Sequence, residues 1–342
     1  MNLIKYSLYL VFLLIVLQAC KNKPVETDKT EERKKDSIEQ VRKEEEKERL
    51  RARTAADIKI EKDLSYNKHT LEDTYPYEDT TRVFQWEKIK EKLATVENFL
   101  NAKGTYAILQ NYKNKNREAP VVKNYKRNAY KRVSDTLGVE RYQSAPLYVV
   151  GETDAPVRYG RDGFLVKLAS SDTLDMVKVE GISFEGTYDV PKRYVKNIGD
   201  SATFNHVVVV DVTNQNICTL EKTDKGWIVR SMNPATTGRH KPPYAMETPT
   251  GMFVIQEKKA KMYYHKDGTT SIEGFAPYAS RFTNGAYVHG VPVNNPKGAI
   301  IEYSWSLGTI PRSHMCVRNA SSHAKFVYDW AKTLNALVIV ID

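Results

Sequence analysis

Residues 311–320 read PRSHMCVRNA, and the role of Cys316 at their centre decides the reading of the chain. Outside the first twenty residues the sequence holds only two cysteines, Cys218 and Cys316. His314 stands two residues before Cys316 and Arg318 two after it. Three roles are open: a buried filler, a metal ligand or a nucleophile. A metal site needs more ligands at a repeating spacing, such as paired CxxC or HExxH, and neither pattern occurs. A thiol attacks only as thiolate, so a nucleophile needs a neighbour that takes or offsets its proton. His314, His289 in YVHGVPV and Arg318 are the candidates.

The start of the chain bears on where that thiol works. MNLIKYSLYLVFLLIVLQAC has a basic Lys5 and then an apolar run from Tyr9 to Leu17. The run is too short to span a bilayer comfortably as a helix and reads as a signal-peptide core, residues 1–19. Leu17-Gln18-Ala19-Cys20 resembles a bacterial lipobox. That resemblance implies lipidation of Cys20 and a membrane-anchored lipoprotein of the cell envelope, facing the periplasm. The alternative is an uncleaved membrane anchor. An exported chain of 342 residues with so few cysteines is not a disulfide scaffold. Cys218 and Cys316 either pair with each other or leave one a working thiol.

The formal net charge is +10, unevenly spread. Lys113 to Arg132 holds eight Lys/Arg against the single acid Glu118, with Tyr112, Tyr125 and Tyr130 interleaved. Such a segment can bind nucleic acid, but an exported protein rarely meets any, so no nucleic-acid partner is expected. An anionic wall polymer or a lipid surface is the better-matched partner. The plainer reading, a solvated face of a small helical region, is the one we expect.

Residues 21–53 contain twelve basic and ten acidic residues and almost nothing apolar. They cannot bury a core. Glu and Lys/Arg three or four apart permit a lone solvated helix, and we read residues 20–60 as a charged tether. Residues 61–140 read as partly helical. Val83, Trp86, Ile89, Leu93, Val96 and Leu100 recur at three- and four-residue steps, an amphipathic helix with Thr80 or Thr81 as its cap. Tyr75-Pro76-Tyr77 reads as turn or extended chain. From Ser144 the pattern shifts to short strands. Val190, Pro191, Tyr194 and Val195 resemble the end of a small Src-homology-three-like β-barrel, a candidate domain at 141–199. The alternative is that these strands extend the domain that follows. Residues 200–342 continue with strands around HVVVVDVT, ICTLEK, GWIVRSM, MFVIQEK, KMYY, GAYVHGV and ALVIVI, with one late helix at SSHAKFVYDWAKTL. The expected class is α+β.

Taken together, residues 206–342 resemble the L,D-transpeptidase (YkuD-type) catalytic domain. His289-Gly290 precedes Ser313-His314-Met315-Cys316-Val317-Arg318, as in the family's His-Gly and Ser-His-Gly-Cys blocks. Upstream, Thr236-Thr237-Gly238 leads to Thr248-Pro249-Thr250-Gly251. The resemblance implies that Cys316 attacks the carbonyl at the L-D bond of a peptidoglycan tetrapeptide stem, expels D-Ala and forms a thioester. An amine acceptor resolves that thioester, in cross-linking or protein attachment. His289 is implied as general base. The backbone around Met315 and Cys316 is implied as oxyanion hole, Ser313 and His314 as supports of the loop, and Arg318 with Gly290 as contacts to the stem. A carbapenem would form an adduct at Cys316. No cofactor or metal is implied.

Two departures from the family pattern stand out. Met315 replaces the glycine before the nucleophile, which implies either a different local backbone or an ordinary one. His289 and Cys316 are 27 positions apart, so residues 292–312 form an enlarged loop over the site. The late helix, starting near Ala320–Ser322, is expected to favour the thiolate with its N-terminal dipole. Two other functions remain open. One is an L,D-carboxypeptidase-type hydrolase of the same stems. The other is an inactive wall-binding lipoprotein.

Overall fold

The structure is a computed structural model that describes residues 27–102, 104–171 and 173–342. The signal peptide and Cys20 lie outside the described residues. The chain divides into two units, one ending at Ala52 and one spanning Arg53–Asp342.

In the first unit the charged segment forms a helix, Thr27–Leu50. Its ion pairs run along the helix, with Lys43 and Glu39 at 2.8 Å and Arg51 and Glu48 at 3.1 Å. Pairs of this spacing support a helix that has no apolar face to bury. No helix among the described residues is long and apolar enough to cross a membrane.

The second unit is built on a six-stranded sheet in the order Ile60–Lys62, Gly226–Pro234, Asn216–Thr223, His206–Asp211, Ala336–Ile341 and Gly251–Val254. Its central pair, His206–Asp211 and Ala336–Ile341, is parallel. Continuous apolar runs suit a strand covered on both faces. Val208, Val210, Val338 and Val340 enter one core, while Val207, Val209, Leu337 and Ile339 enter another. Each such side chain contributes on the order of 1.5–3 kcal/mol by leaving water.

Beside it stands a four-stranded sheet of Glu257–His265, Ile272–Thr283, Ala286–His289 and Val317–Arg318. The strands expected from Ser144 onward lie in a seven-stranded sheet. Thr105–Leu109, from the region read as partly helical, is part of the same sheet. Ala107, Leu109 and Val166 share the first core with the six- and four-stranded sheets, and Tyr106, Ile108 and Leu165 share the second.

Two local expectations are corrected. The amphipathic helix is Trp86–Asn101, with Ile89, Leu93, Ala94 and Val96 buried. Thr80 and Thr81 do not cap it, because they belong to Thr80–Val83, which pairs with Thr74–Tyr77. The basic stretch 113–132 is not a helical region. It contains a short 3-10 turn and a two-residue strand, Lys126–Arg127, paired with Val133–Ser134. Lys113, Asn114, Arg117 and Lys131 take positive φ, which no α-helix accommodates.

Candidate active site

The site starts from a strand pair. Ala286–His289 runs parallel to Val317–Arg318, with Val288 opposite Val317 and His289 opposite Arg318. Side chains alternate across a sheet. Val288 and Val317 therefore turn together into the core. Tyr287, His289 and Arg318 take the other face, where Cys316 packs against Tyr287 and Ala279. One register thus gathers thiol, imidazole and guanidinium. His289, Ser313, His314, Cys316 and Arg318 line a single cavity of about 480 Å³. The Glu257–His265 and Ile272–Thr283 strands and their connection supply Met262, Tyr264, His265, Asp267 and Glu273 to its wall. The enlarged loop supplies Pro292, Asn294, Ser304, Ser306 and Leu307.

His289 is buried and donates from Nδ1 to the Gly290 carbonyl at 2.6 Å. A carbonyl has no proton to give, so this bond sets the tautomer and leaves Nε2 as the basic nitrogen. Burial holds the imidazole down to about 3, against the pull of that carbonyl and with the push of Arg318. Burial raises the Cys316 thiol to about 11, although the Tyr287 backbone and the Arg318 charge draw it down. At neutral pH the pair rests as neutral thiol and neutral imidazole. Cys316 Sγ lies 3.5 Å from the Gly285 carbonyl. Cys218 and Cys316 are both free thiols, so the disulfide alternative is not formed. Cys218 is buried on the Asn216–Thr223 strand, as a small apolar side chain would be.

The turn before Cys316 is held from two sides. Met315 takes φ +97°, so it keeps the backbone that glycine would allow. Neither alternative drawn from the sequence, a different turn or an ordinary one, describes it. Thr248 Oγ1 accepts from the Gly238 N–H at 2.8 Å and donates to the Met315 carbonyl at 2.8 Å. Ser313 Oγ donates to the Cys316 carbonyl. Gly238 must be a glycine, because a Cβ there would stand 2.7 Å from Met315 Cα and 2.2 Å from the Met246 carbonyl oxygen. Gln215 holds the neighbouring Thr237, accepting from its N–H at 2.9 Å and donating to its hydroxyl at 2.7 Å.

Other residues fall outside the thiol's immediate surroundings. Gly290 sits against Ser321 and Pro277, where a Cβ would come within 2.6 Å of Ser321 Oγ. His314 is partly exposed and pairs with Asp267 at 3.0 Å. The late helix is Ser321–Trp330. Its first N–H groups go to Glu302, with Ser321 N donating to the Glu302 carbonyl at 2.8 Å and Ser322 N to its carboxylate at 2.9 Å. The helix dipole therefore serves the enlarged loop rather than the thiol, which corrects the expectation from the sequence.

Three participants had no assigned role in the sequence reading: Thr248, Asp267 and Tyr264. Thr248 stands in the quoted Thr-Pro-Thr-Gly block, and that was its only signal. Among the described residues, no group of three or more His, Cys, Asp or Glu side chains gathers as metal ligands would.

A thiol just before one strand and an imidazole on the parallel strand beside it, both lining one cavity, form a site suited to nucleophilic chemistry. The family model of the YkuD L,D-transpeptidase catalytic domain matches residues 205–340. That part of the chain is similar to the L,D-transpeptidase catalytic domain. No curated protein matches the chain. Among solved structures, a fused zinc-dependent amidase/peptidase/peptidoglycan-binding protein from Clostridium acetobutylicum is similar at 16% identity, with TM-score 0.29. The match covers 41% of this chain and 54% of that one, so this chain spans about half of that protein's length. An L,D-transpeptidase in complex with imipenem is 19% identical over 54% of this chain and 71% of that one, with TM-score 0.32. The L,D-transpeptidase of Mycobacterium smegmatis is 19% identical over 52% of this chain and 82% of that one, with TM-score 0.33.

Proposed function

We propose that the chain is a cell-wall L,D-transpeptidase that works through a Cys316 thioester on peptidoglycan tetrapeptide stems. The observation that carries the reading is the strand register that brings His289 and Arg318 to the cavity that holds Cys316. Because the resting pair is neutral, the proton moves as the thiol attacks. The Cys316 S–C bond forms while the thiol proton passes to His289 Nε2. The tetrahedral oxyanion is met by the backbone N–H groups at Met315 and Cys316. The C–N bond then breaks, and the imidazolium returns its proton to the leaving D-Ala amine. An acceptor amine from a neighbouring stem attacks the thioester while His289 takes its proton, the C–S bond breaks as the new C–N bond is completed, and the imidazolium returns the proton to Cys316 Sγ.

Lipidated Cys20 would hold the chain at the envelope membrane, facing the periplasm, with the Thr27–Leu50 helix part of the tether. A carbapenem would acylate the same thiol. The test is to incubate the full chain with disaccharide-tetrapeptide, beside Cys316→Ala, and to read the products by mass spectrometry. A dimer short of one D-Ala is expected from the wild type and not from the variant. A disaccharide-tripeptide without dimer would mean hydrolysis instead, and no product would overturn the reading.

A further inference from the structure

The basic stretch 113–132 has no part in the thiol chemistry, yet its eight cations against Glu118 make up +7 of the chain's net +10. Of those eight, among the described residues, Arg132 alone has a carboxylate at ion-pair distance, the buried Glu140 at 3.1 Å. The other seven are exposed and unpaired.

Part of this charge is built into a pocket. Lys126–Arg127 pairs with Val133–Ser134. The turn between them is closed by Asn128 N–H donating to the Arg132 carbonyl at 3.0 Å and Lys131 N–H to the Asn128 carbonyl at 2.9 Å. Arg127 Nη1 donates to the Lys131 carbonyl at 3.0 Å. Beside this hairpin lies a cavity of about 270 Å³, whose lining includes Arg127, Lys131, Arg132 and Arg141 with Glu118 and Tyr142. Two of the four cations are fixed as walls. Arg132 is held by Glu140 and lies 4.9 Å from the Tyr142 ring centroid. Arg141 is held by Glu118 at 3.3 Å and by the Ala119 carbonyl. Arg127 and Lys131 have no counter-charge. A concave surface lined mainly by one sign of charge focuses its field and gathers anions.

The arrangement selects among anions. A planar carboxylate is served by a single guanidinium fork. Here three guanidinium groups and the point charge of a lysine share one small cavity, which suits the several oxygens of a phosphate group. The remaining exposed cations, from Lys113 to Lys126, carry the charge on beyond the pocket, so a ligand that repeats its anion fits better than a single ion. A bilayer surface fits less well. It cannot enter a concave pocket, and it favours buried apolar side chains, of which this stretch exposes Val121 and Tyr125.

We propose that residues 113–132, with Arg141, form a binding site for a phosphate-bearing polymer, one phosphate group being seated among Arg127, Lys131, Arg132 and Arg141. The site shares no lining residue with the cavity that holds Cys316, and it requires neither acylation nor a stem peptide. It is nonetheless joined to the catalytic region. Tyr130 Oη donates to Glu247 at 2.7 Å and Arg132 Nη1 to Met246 Sδ at 3.3 Å, so the basic lobe rests against the segment that leads into Thr248. A polymer seated there would hold the chain independently of any lipid anchor.

The probes are inorganic polyphosphate, poly-L-glutamate of matched charge, and phosphatidylglycerol vesicles, each offered to the full chain. Variants are compared with a wild type that has the same N-terminus, so that segment cancels. Polyphosphate should bind about 10-fold more tightly than polyglutamate. R127Q/K131Q should weaken polyphosphate binding about 10- to 100-fold, the size of charge-assisted contacts, and R127K/K131R should restore most of it. K225Q removes an exposed charge from the turn between Asn216–Thr223 and Gly226–Pro234, and it should stay within twofold. Should the double variant fold poorly, K131Q alone, at an exposed side chain, should still cost about 3- to 10-fold. Raising the salt should weaken polyphosphate binding, more steeply in the wild type than in the double variant. Equal binding of polyphosphate and polyglutamate would reduce the site to bulk charge and overturn it. A loss in K225Q as large as in K131Q would do the same. Vesicle binding that R127Q/K131Q abolishes, without binding of polyphosphate, would make the patch a membrane contact and overturn the polymer.

Discussion

The Thr248 hydroxyl is bonded to the Met315 carbonyl at 2.8 Å, across 67 positions of sequence. A peptide unit is planar and trans, so its N–H points opposite to its C=O. Holding the Met315 carbonyl on Thr248 therefore aims the Cys316 N–H the other way. In the proposed mechanism Thr248 would act as a positioning residue for an oxyanion donor that it does not touch. Thr248→Val keeps the shape and removes the hydroxyl, leaving the Gly238 N–H and the Met315 carbonyl without this partner. We expect the rate of Cys316 acylation, read by intact mass, to fall about 10- to 100-fold, somewhat less than for outright loss of an oxyanion donor. Thr248→Ser should stay within a few fold of wild type. If the valine variant acylates normally, the clamp has no catalytic role.

Met315 carries a conformational cost that glycine would not. An L-residue at positive φ is strained by about 1–2 kcal/mol, and Met315 sits at +97°. Its side chain recovers part of that by packing against the main core. Met315→Gly should therefore change the melting temperature little and leave acylation within a few fold. Met315→Ile, branched at Cβ, should lower stability by about 1–3 kcal/mol. Denaturant melts of the two variants check this. An isoleucine variant as stable as wild type would mean that the turn had relaxed to negative φ.

The buried pair gives a pH signature with a definite sign. His289 titrates near 3 in the fold and near 6.5 unfolded. Between those values the unfolded chain binds the extra proton, so stability is lost as pH falls through this window. Cys316 rises to about 11 from an ordinary 9.0. The fold therefore keeps a proton that the unfolded chain releases, and stability is also lost between about pH 9 and 11. His289→Asn should remove about one proton from the slope on the acid side. Buried His323, also held to about 3, accounts for a second proton there. Alkylation of Cys316 by iodoacetamide, counted against Cys316→Ala, should be slow at neutral pH and climb toward about 11. A plateau reached below pH 8 would show a stored thiolate and contradict the neutral resting pair.

The grouping of the site's residues was legible where it depends on residue type and order. His289, Ser313, Cys316 and Arg318 stand in a recognisable sequence, and the fold brings all four to one cavity. The apolar runs at 206–211 and 336–341 likewise announced their strands, because a strand covered on both faces has no polar alternation to hide it. What stayed hidden depends on approach in space. The hydroxyl of Thr248 finds its acceptors only when Gly238 lets the Met315 turn come close, and no local pattern encodes that distance. Thr80 looked like a helix cap because threonine serves both caps and strands, and its pairing with Tyr77 decided between them. The stretch 113–132 looked helical by composition, but positive φ at non-glycine residues leaves no sequence signal. Glu302 drew the late helix's N-terminus away from the thiol from within a loop whose length was readable and whose path was not.

The last prediction concerns the cavity wall that carries Asp267. Asp267 lies in the connection between the Glu257–His265 and Ile272–Thr283 strands, and its bond to His314 ties that connection to the motif loop. Both side chains are about half exposed, 51% for Asp267 and 42% for His314. A side-chain contact so open to water contributes at most about 1 kcal/mol, so Asp267→Asn should scarcely move the melting temperature. Its effect should fall on the cavity instead. Tyr264, His265 and Glu273 come from the same pair of strands and line the cavity. Loosening that wall should raise KM for disaccharide-tetrapeptide several-fold and leave kcat within about twofold, because the thiol, the base and the clamped turn are untouched. A fall in kcat at constant KM would place His314 in the chemistry and refute its role as a tie between the motif loop and the cavity wall.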